Sequence, residues 1–146
     1  MHPVYQPEFS AATQMVMGTT TRFLLTGEQT GGQFTLYRIT AGQGDIVPLH
    51  VHEYEDETFM VREGQLRVVV AGEVFLASPG DVVFAPRHIA HSWEAVAEGM
   101  TTFDLMSTPT GMEIMFQELG ALTHDAPMGT VLDICQRAGI RFLPAD

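Results

Sequence analysis

In the stretch GDIVPLHVHEYEDETFMVREG, His50 and His52 stand one residue apart in an apolar run, and Glu53, Glu55, Asp56 and Glu57 follow directly. Side chains at i and i+2 of a β-strand project to the same face, so the two imidazoles can point together while Val51 points away. One metal ion could take both. A sharp turn through Glu53–Asp56 would return the chain antiparallel, with a strand starting near Glu57 whose carboxylate then sits beside the histidines. His91 follows the turn-like segment SPGDVVFAPRHIAH and begins another strand. Three imidazoles and a carboxylate form a mixed nitrogen and oxygen donor set, suited to one divalent Fe, Mn, Co, Ni, Cu or Zn ion. Taken alone, a His-x-His pair is also what an exposed strand of alternating polar residues produces. The neighbouring acids Glu53, Glu55 and Asp56 read as a solvated turn whose charge draws in a cation without binding it. His2 and His124 fall in arm and loop segments and read as surface residues.

The elements that must position these residues follow from the hydrophobic pattern. From Phe23 to Ser107 the runs RFLL, FTLYRI, DIVPLHV, TFMV, LRVVV, EVFLA, DVVFA, HSWEAV and TTFDLM alternate with Gly, Pro or charged turns. A spacing of about eight to twelve residues, rich in Val, Phe and Thr, indicates an all-β sandwich or barrel. VVVAGEVFL reads as a tight hairpin around Ala71 and Gly72, because glycine accepts the positive φ such a turn demands. Residues 1–20 mix Pro, Gln, Ser and Thr and read as an N-terminal arm with little regular structure, leaving 21–108 for the barrel and 109–146 for a helical segment packed on it. In that segment Met112, Met115, Phe116 and Leu119 have helical spacing, with Thr110 and Glu113 as a capping box and Gly120 as a stop. Val131, Ile134, Cys135 and Ala138 repeat the pattern, with Thr130 as cap and Gly139 as stop. The methionines and Cys135 read as core.

Composition narrows the function. A chain of 146 residues with 45% hydrophobic content can bury the core of one domain. Seven basic against eighteen acidic residues give a net charge of -11, which repels nucleic acid and anionic membranes. No membrane span or secretion signal is visible, and a single cysteine excludes an internal disulfide. A cytoplasmic setting is the expectation.

The spacing of the candidate ligands resembles the cupin superfamily. Its first motif is a glycine, five residues, His-x-His, three or four residues, glutamate, six residues and a glycine, met by Gly44, His50, His52, Glu57 and Gly64. Gly80, Pro86 and His91 match the second, while His88 stands where the family has glycine and Ala95 where it has asparagine. His88 is the competitor of His91 as fourth ligand, although it falls in the turn. The resemblance implies a single jelly-roll barrel, all-β with two short C-terminal helices, holding a metal on His50, His52, Glu57 and His91. Strand alternation then offers Phe59, Val61 and Trp93 as pocket walls, with Phe23, Tyr37, Phe84 and Phe103 on neighbouring strands; each could equally fill the barrel interior.

With STPTGMEIMFQELG and AGIRFLPAD, the chain looks like small single-barrel cupins grouped with quercetin 2,3-dioxygenase. That similarity implies a small aromatic or enolisable substrate, dioxygen as co-substrate, and Glu57 as both ligand and catalytic base. Cupins with these ligands also include oxygen-independent isomerases, decarboxylases and lyases, and a non-catalytic small-molecule binder or sensor is the reading of a different class. Barrel edges suit pairing with a second copy, so a homodimer is expected.

Overall fold

The computed structural model describes residues 1–144; the last two positions of the expected helical segment lie outside the described residues. Among the described residues eleven strands form two antiparallel sheets. The six-stranded sheet runs β1 (Thr13–Val16), β2 (Thr19–Leu25), β3 (Thr35–Gly42), β10 (Met100–Thr108), β5 (Asp56–Glu63), β8 (Val82–Ala85). The five-stranded sheet runs β11 (Ile140–Phe142), β4 (Ile46–His52), β9 (His91–Ala95), β6 (Leu66–Val70), β7 (Glu73–Ala77). All nine expected runs are strands, β2 to β10. They alternate as half-buried strands should: β3 and β6 are buried at every second position. Tyr37, Phe59, Leu66, Val68 and Phe103 are wholly buried between the sheets. Each such side chain contributes about 1.5 to 3 kcal/mol on leaving water.

Two strands were not expected. β1 lies inside the stretch read as an arm, where a 3-10 turn also spans Glu8–Ser10. Met17 and Gly18 carry φ values of 50° and 86°, so they form a two-residue turn of the kind that joins twisted antiparallel strands. This hairpin leaves no hydrophobic period in the sequence, because the strand before the turn buries Val16 alone. β11 has three residues, too few to show a period, yet it covers the open edge of β4 by pairing Ile140 with His52 and Phe142 with His50.

The hairpin at Ala71 and Gly72 forms as expected, with φ values of 53° and 82°. On the outer face of the larger sheet, Asp104 sits opposite Arg38 in register and accepts two hydrogen bonds from its guanidinium, at 2.7 and 3.0 Å. This forked pair fixes the β3/β10 register with a cross-strand contact between opposite charges.

The helices are α1 (Glu113–Gly120) and α2 (Met128–Arg137). Their expected caps differ from what forms. Met112 and Pro127 occupy the cap positions, Thr130 lies inside α2, and neither helix has a side-chain cap. Thr110 instead donates its hydroxyl to the Glu113 carboxylate at 3.0 Å, and that carboxylate also accepts from Thr35 and from the Gly27 backbone N–H. Glu113 therefore ties the helix start to the barrel. Gly120 is the last residue of α1, whereas Gly139, at φ 79°, does end the second helical segment. Both helices press their apolar faces on the barrel mouth, and the Phe116 ring meets Tyr37 edge-on at 4.7 Å. Among the described residues no helix is long and apolar enough to cross a membrane.

Phe116 is half-buried, with a cavity on one side. Phe116→Ala is expected to cost about 2 kcal/mol, below the about 3 to 5 kcal/mol of a fully enclosed phenylalanine. Chemical denaturation measures this, and an unchanged midpoint would place α1 off the barrel.

Candidate metal centre

β4 carries His50 and His52 with Val51 between them, and strand alternation turns both imidazoles inward. β9 lies beside β4 with His91 directly opposite His50. Glu57 comes from the other sheet: it sits on β5 between Ala85 of β8 and Ser107 of β10. The expectation that β4 and β5 form a hairpin with Glu57 alongside the histidines is corrected here. The turn through Glu53–Glu55 carries the chain from one sheet to the other, and the carboxylate faces the imidazoles across the barrel interior. A closed barrel brings a ligand from the opposite wall, which a flat hairpin could not.

All four side chains are buried, at 4% exposure or less, and one ligand atom from each lies within 4.8 Å of all the others. His50 Nε2 stands 3.0 Å from His52 Nε2, and His91 Nε2 stands 2.9 Å from Glu57 Oε2. The outward nitrogens show which way the rings are protonated. His50 Nδ1 lies 2.7 Å from the Pro48 carbonyl and His91 Nδ1 lies 3.1 Å from the Ile89 carbonyl. A carbonyl only accepts, so both Nδ1 atoms carry a proton, and in a neutral ring Nε2 then presents its lone pair to the centre. In neutral rings of this tautomer the lone pairs of His50 and His91 converge with the Glu57 carboxylate, which is an arrangement a cation resolves. Donors about 2.1 Å from a shared metal stand roughly 3.0 to 3.4 Å apart. The residues fit a divalent transition metal; nitrogen and oxygen donors alone do not choose which one.

Without a metal, protons must do this work. Burial pushes the His50 pKa down to about 4, and the neighbouring His91 and His52 add to the push against the pull of Glu57. Burial acts the same way on His52, but the Glu57 and Glu55 carboxylates outweigh it and hold that ring above its ordinary 6.5. For Glu57 burial favours the neutral acid, yet the facing His52, His91 and His50 reverse it and hold the carboxyl well below its usual range. Glu57 is therefore an ionised, buried acceptor.

The other sequence candidates divide. His88 is exposed at φ 67°, taking the left-handed turn conformation where the resembling motif has glycine, and its N–H donates to the His52 carbonyl at 2.8 Å. It supports the ligand strand through its backbone and lies outside the four-residue cluster. Asp56, read as solvated, is clamped: Arg87 gives its carboxylate one backbone bond at 2.8 Å and two side-chain bonds at 3.1 Å, which lower its pKa. Glu55, read the same way, is 3% exposed, with Oε2 3.6 Å from His52 Nδ1. A signal for it existed in the spacing His52-x-x-Glu55 across one turn.

A cavity of about 480 Å³ opens onto the cluster, with His50, His52 and Glu57 in its wall. Of the expected pocket residues Trp93 lines it. Phe23, Tyr37, Phe59, Val61 and Phe103 are buried beside or behind the site instead, filling the barrel as side chains must where it narrows. Phe59 and Phe103 sit 6.0 Å apart, with the Phe59 ring 6.3 Å from His91 as its backing. Phe84 is 56% exposed, because β8 turns Val83 and Ala85 inward and Phe84 out. The walls that the sequence reading assigned to core packing alone are helical: Met112, Met115, Phe116 and Cys135 both pack on the barrel and face the cavity. Its rim holds the exposed Met17, Ile46, Met128 and Leu132.

Two antiparallel sheets enclosing a His, His, Glu, His cluster define a metal-binding β-barrel. The Cupin domain family matches residues 37–108, a stretch that holds all four residues of the cluster. A 67-residue stretch is 36% identical to quercetin 2,3-dioxygenase of Bacillus subtilis, covering 46% of this chain and 20% of that protein. Thus the chain matches about a fifth of that relative's length. Among solved structures, a predicted oxalate decarboxylase of Thermotoga maritima is similar with a TM-score of 0.66 at 20% identity, over 73% of this chain and 99% of that one. KdgF from Halomonas sp. gives 0.64 at 22% identity, over 73% and 94%. Likeness at these identities concerns the fold.

His50→Ala and His91→Ala are each expected to strip the metal while circular dichroism shows the fold intact, and His88→Ala to keep it. Elemental analysis decides, and full metal content in either of the first two variants contradicts the assignment. His52 must lose its raised proton to take a metal, so affinity should fall as pH drops through and below the ordinary imidazole value. Dialysis at about pH 8 should retain metal and at about pH 5 release it.

Proposed function

We propose that this protein is a metal-dependent dioxygenase acting on a flat, largely apolar and enolisable substrate such as a flavonol or related hydroxy-ketone. The observation that carries the reading is the cavity: among the described residues no arginine or lysine lines it, and its walls are mostly aliphatic, aromatic and thioether groups. A sugar phosphate or a dicarboxylate would meet no cationic side chain there, and Asp45 at the wall would repel it. A neutral aromatic substrate gains by burying its faces, and about 480 Å³ falls in the range of small-molecule sites. The similarity to a quercetin 2,3-dioxygenase points the same way.

A bound divalent metal would supply Lewis acidity, lowering the pKa of a hydroxyl presented to the three histidines. The protein's own residues do the rest. Met112, Met115 and Phe116 seat the ring system against the barrel mouth and keep water off the reacting carbon. Glu57, in the cavity wall beside the three histidines, would accept the hydroxyl proton, and the enolate left behind would be the electron-rich carbon centre that dioxygen attacks.

The same carboxylate and cavity could serve an oxygen-independent isomerase or lyase, since moving a proton on an enolisable substrate asks for the same base. The two readings part on oxygen. Wild-type protein reconstituted with metal should consume dioxygen in an electrode when given a flavonol, and metal-free protein should not. Glu57→Gln keeps an oxygen donor but loses the base, so turnover should fall by about 10² to 10⁴. Substrate loss at equal rates under argon and air would remove the dioxygenase reading in favour of the oxygen-independent one.

A further inference from the structure

The three imidazoles of the cluster are held from behind in two different ways. His50 and His91 each rest their Nδ1 on a backbone carbonyl two residues earlier, at 2.7 and 3.1 Å. His52 has no such carbonyl. Its Nδ1 faces Glu55 Oε2 at 3.6 Å, and neither atom has a hydrogen-bond partner among the described residues. Both are buried, with the side chains 1% and 4% exposed. Two complementary polar groups shut away together, each lacking any other partner, are a pair that a small rotation of either side chain closes into a hydrogen bond.

The place of Glu55 is built. Glu53 and Tyr54 before it are exposed, and the turn is pinned where the Glu53 N–H donates to the Gly139 carbonyl at 2.8 Å. Tyr54 lies against Gly139 so closely that a Cβ there would come within 2.6 Å of its ring. From the other side, the loop after β10 brings Gly111 to the carboxylate: a Cβ on this glycine, at φ 150°, would stand 3.0 Å from Glu55 Oε1. Gly139 thus admits the turn beneath Tyr54, and Gly111 leaves room for the Glu55 carboxylate behind His52.

We propose that Glu55 is the positioning residue of the metal centre, holding His52 as the Nδ1–H tautomer with Nε2 toward the metal and making it the most electron-rich of the three imidazole donors. A carboxylate behind a ligating histidine fixes ring orientation and raises donor strength, and its removal typically weakens metal binding by about 10- to 100-fold. His50 and His91, bonded to neutral carbonyls, receive less of this push. The inference rests on the four-residue cluster being a metal site and is independent of the reaction carried out there.

The test uses zinc alone, by competition with a chromophoric chelator, together with imidazole ¹H–¹⁵N spectra of the zinc-loaded protein. Wild type should bind zinc and show a slowly exchanging, downfield His52 Nδ1–H. Glu55→Ala should bind zinc about 10- to 100-fold more weakly and lose that signal to solvent exchange, with the His50 and His91 signals in place. Glu55→Gln keeps a neutral acceptor oxygen, so it should retain the tautomer, shift the Nδ1–H signal upfield and lose less affinity. Should the alanine variant fail to fold, the glutamine variant carries the test. Zinc affinity within about twofold of wild type in the foldable variants overturns the proposal, and so does weakened binding with His52 Nδ1–H unmoved, which would make Glu55 a packing residue. Wild type that binds no zinc would contradict the centre itself.

Discussion

The structure depends on one buried negative charge. Glu57 projects into the interior between two apolar sheets, where an unpaired carboxylate would cost several kcal/mol in lost hydration. What makes the position tenable is that His50, His52 and His91 reach it from the opposite wall, within 4.8 Å. Neither sheet could hold the cluster alone. The barrel must close, and the β4 to β5 turn must cross between sheets, for the charge to find its partners. With a cation at the centre the opposition of lone pairs becomes attraction, so metal binding and barrel closure are expected to support one another.

The surroundings follow from that demand. Phe59 and Phe103 fill the space behind the site and leave little room for the rings to tilt, while β11 covers the edge of β4 and pairs with both of its histidines. On the open side the helices replace a sheet wall with methionine, phenylalanine and leucine. The result is a polar centre at the end of an apolar cavity.

Much of this was legible in the sequence because the relevant signals are local. Strand runs punctuated by Gly and Pro located β2 to β10, and the spacing of His50, His52, Glu57 and His91 named the cluster. What escaped was of another kind. β1 and β11 are too short to show a period. Thr110 and Thr130 sit at good cap positions, but the helices start after Met112 and Pro127. Phe84 and Trp93 look alike as aromatic strand residues, and only the register of β8 and β9 says that one faces solvent and the other the cavity. Glu55 was hidden by its company, since a run of acids reads as solvent-facing unless something buries one of them. Here the loop at Gly111, remote in sequence, lies against its carboxylate.

The account stands on the cluster being a metal centre with four protein ligands. A crystal of metal-loaded protein, measured at the absorption edge of its metal, tests this most directly. The expected result is one anomalous peak about 2.0 to 2.3 Å from Nε2 of His50, His52 and His91 and from a Glu57 oxygen. A peak that includes His88 and leaves out His91, or no peak between the sheets, would contradict it.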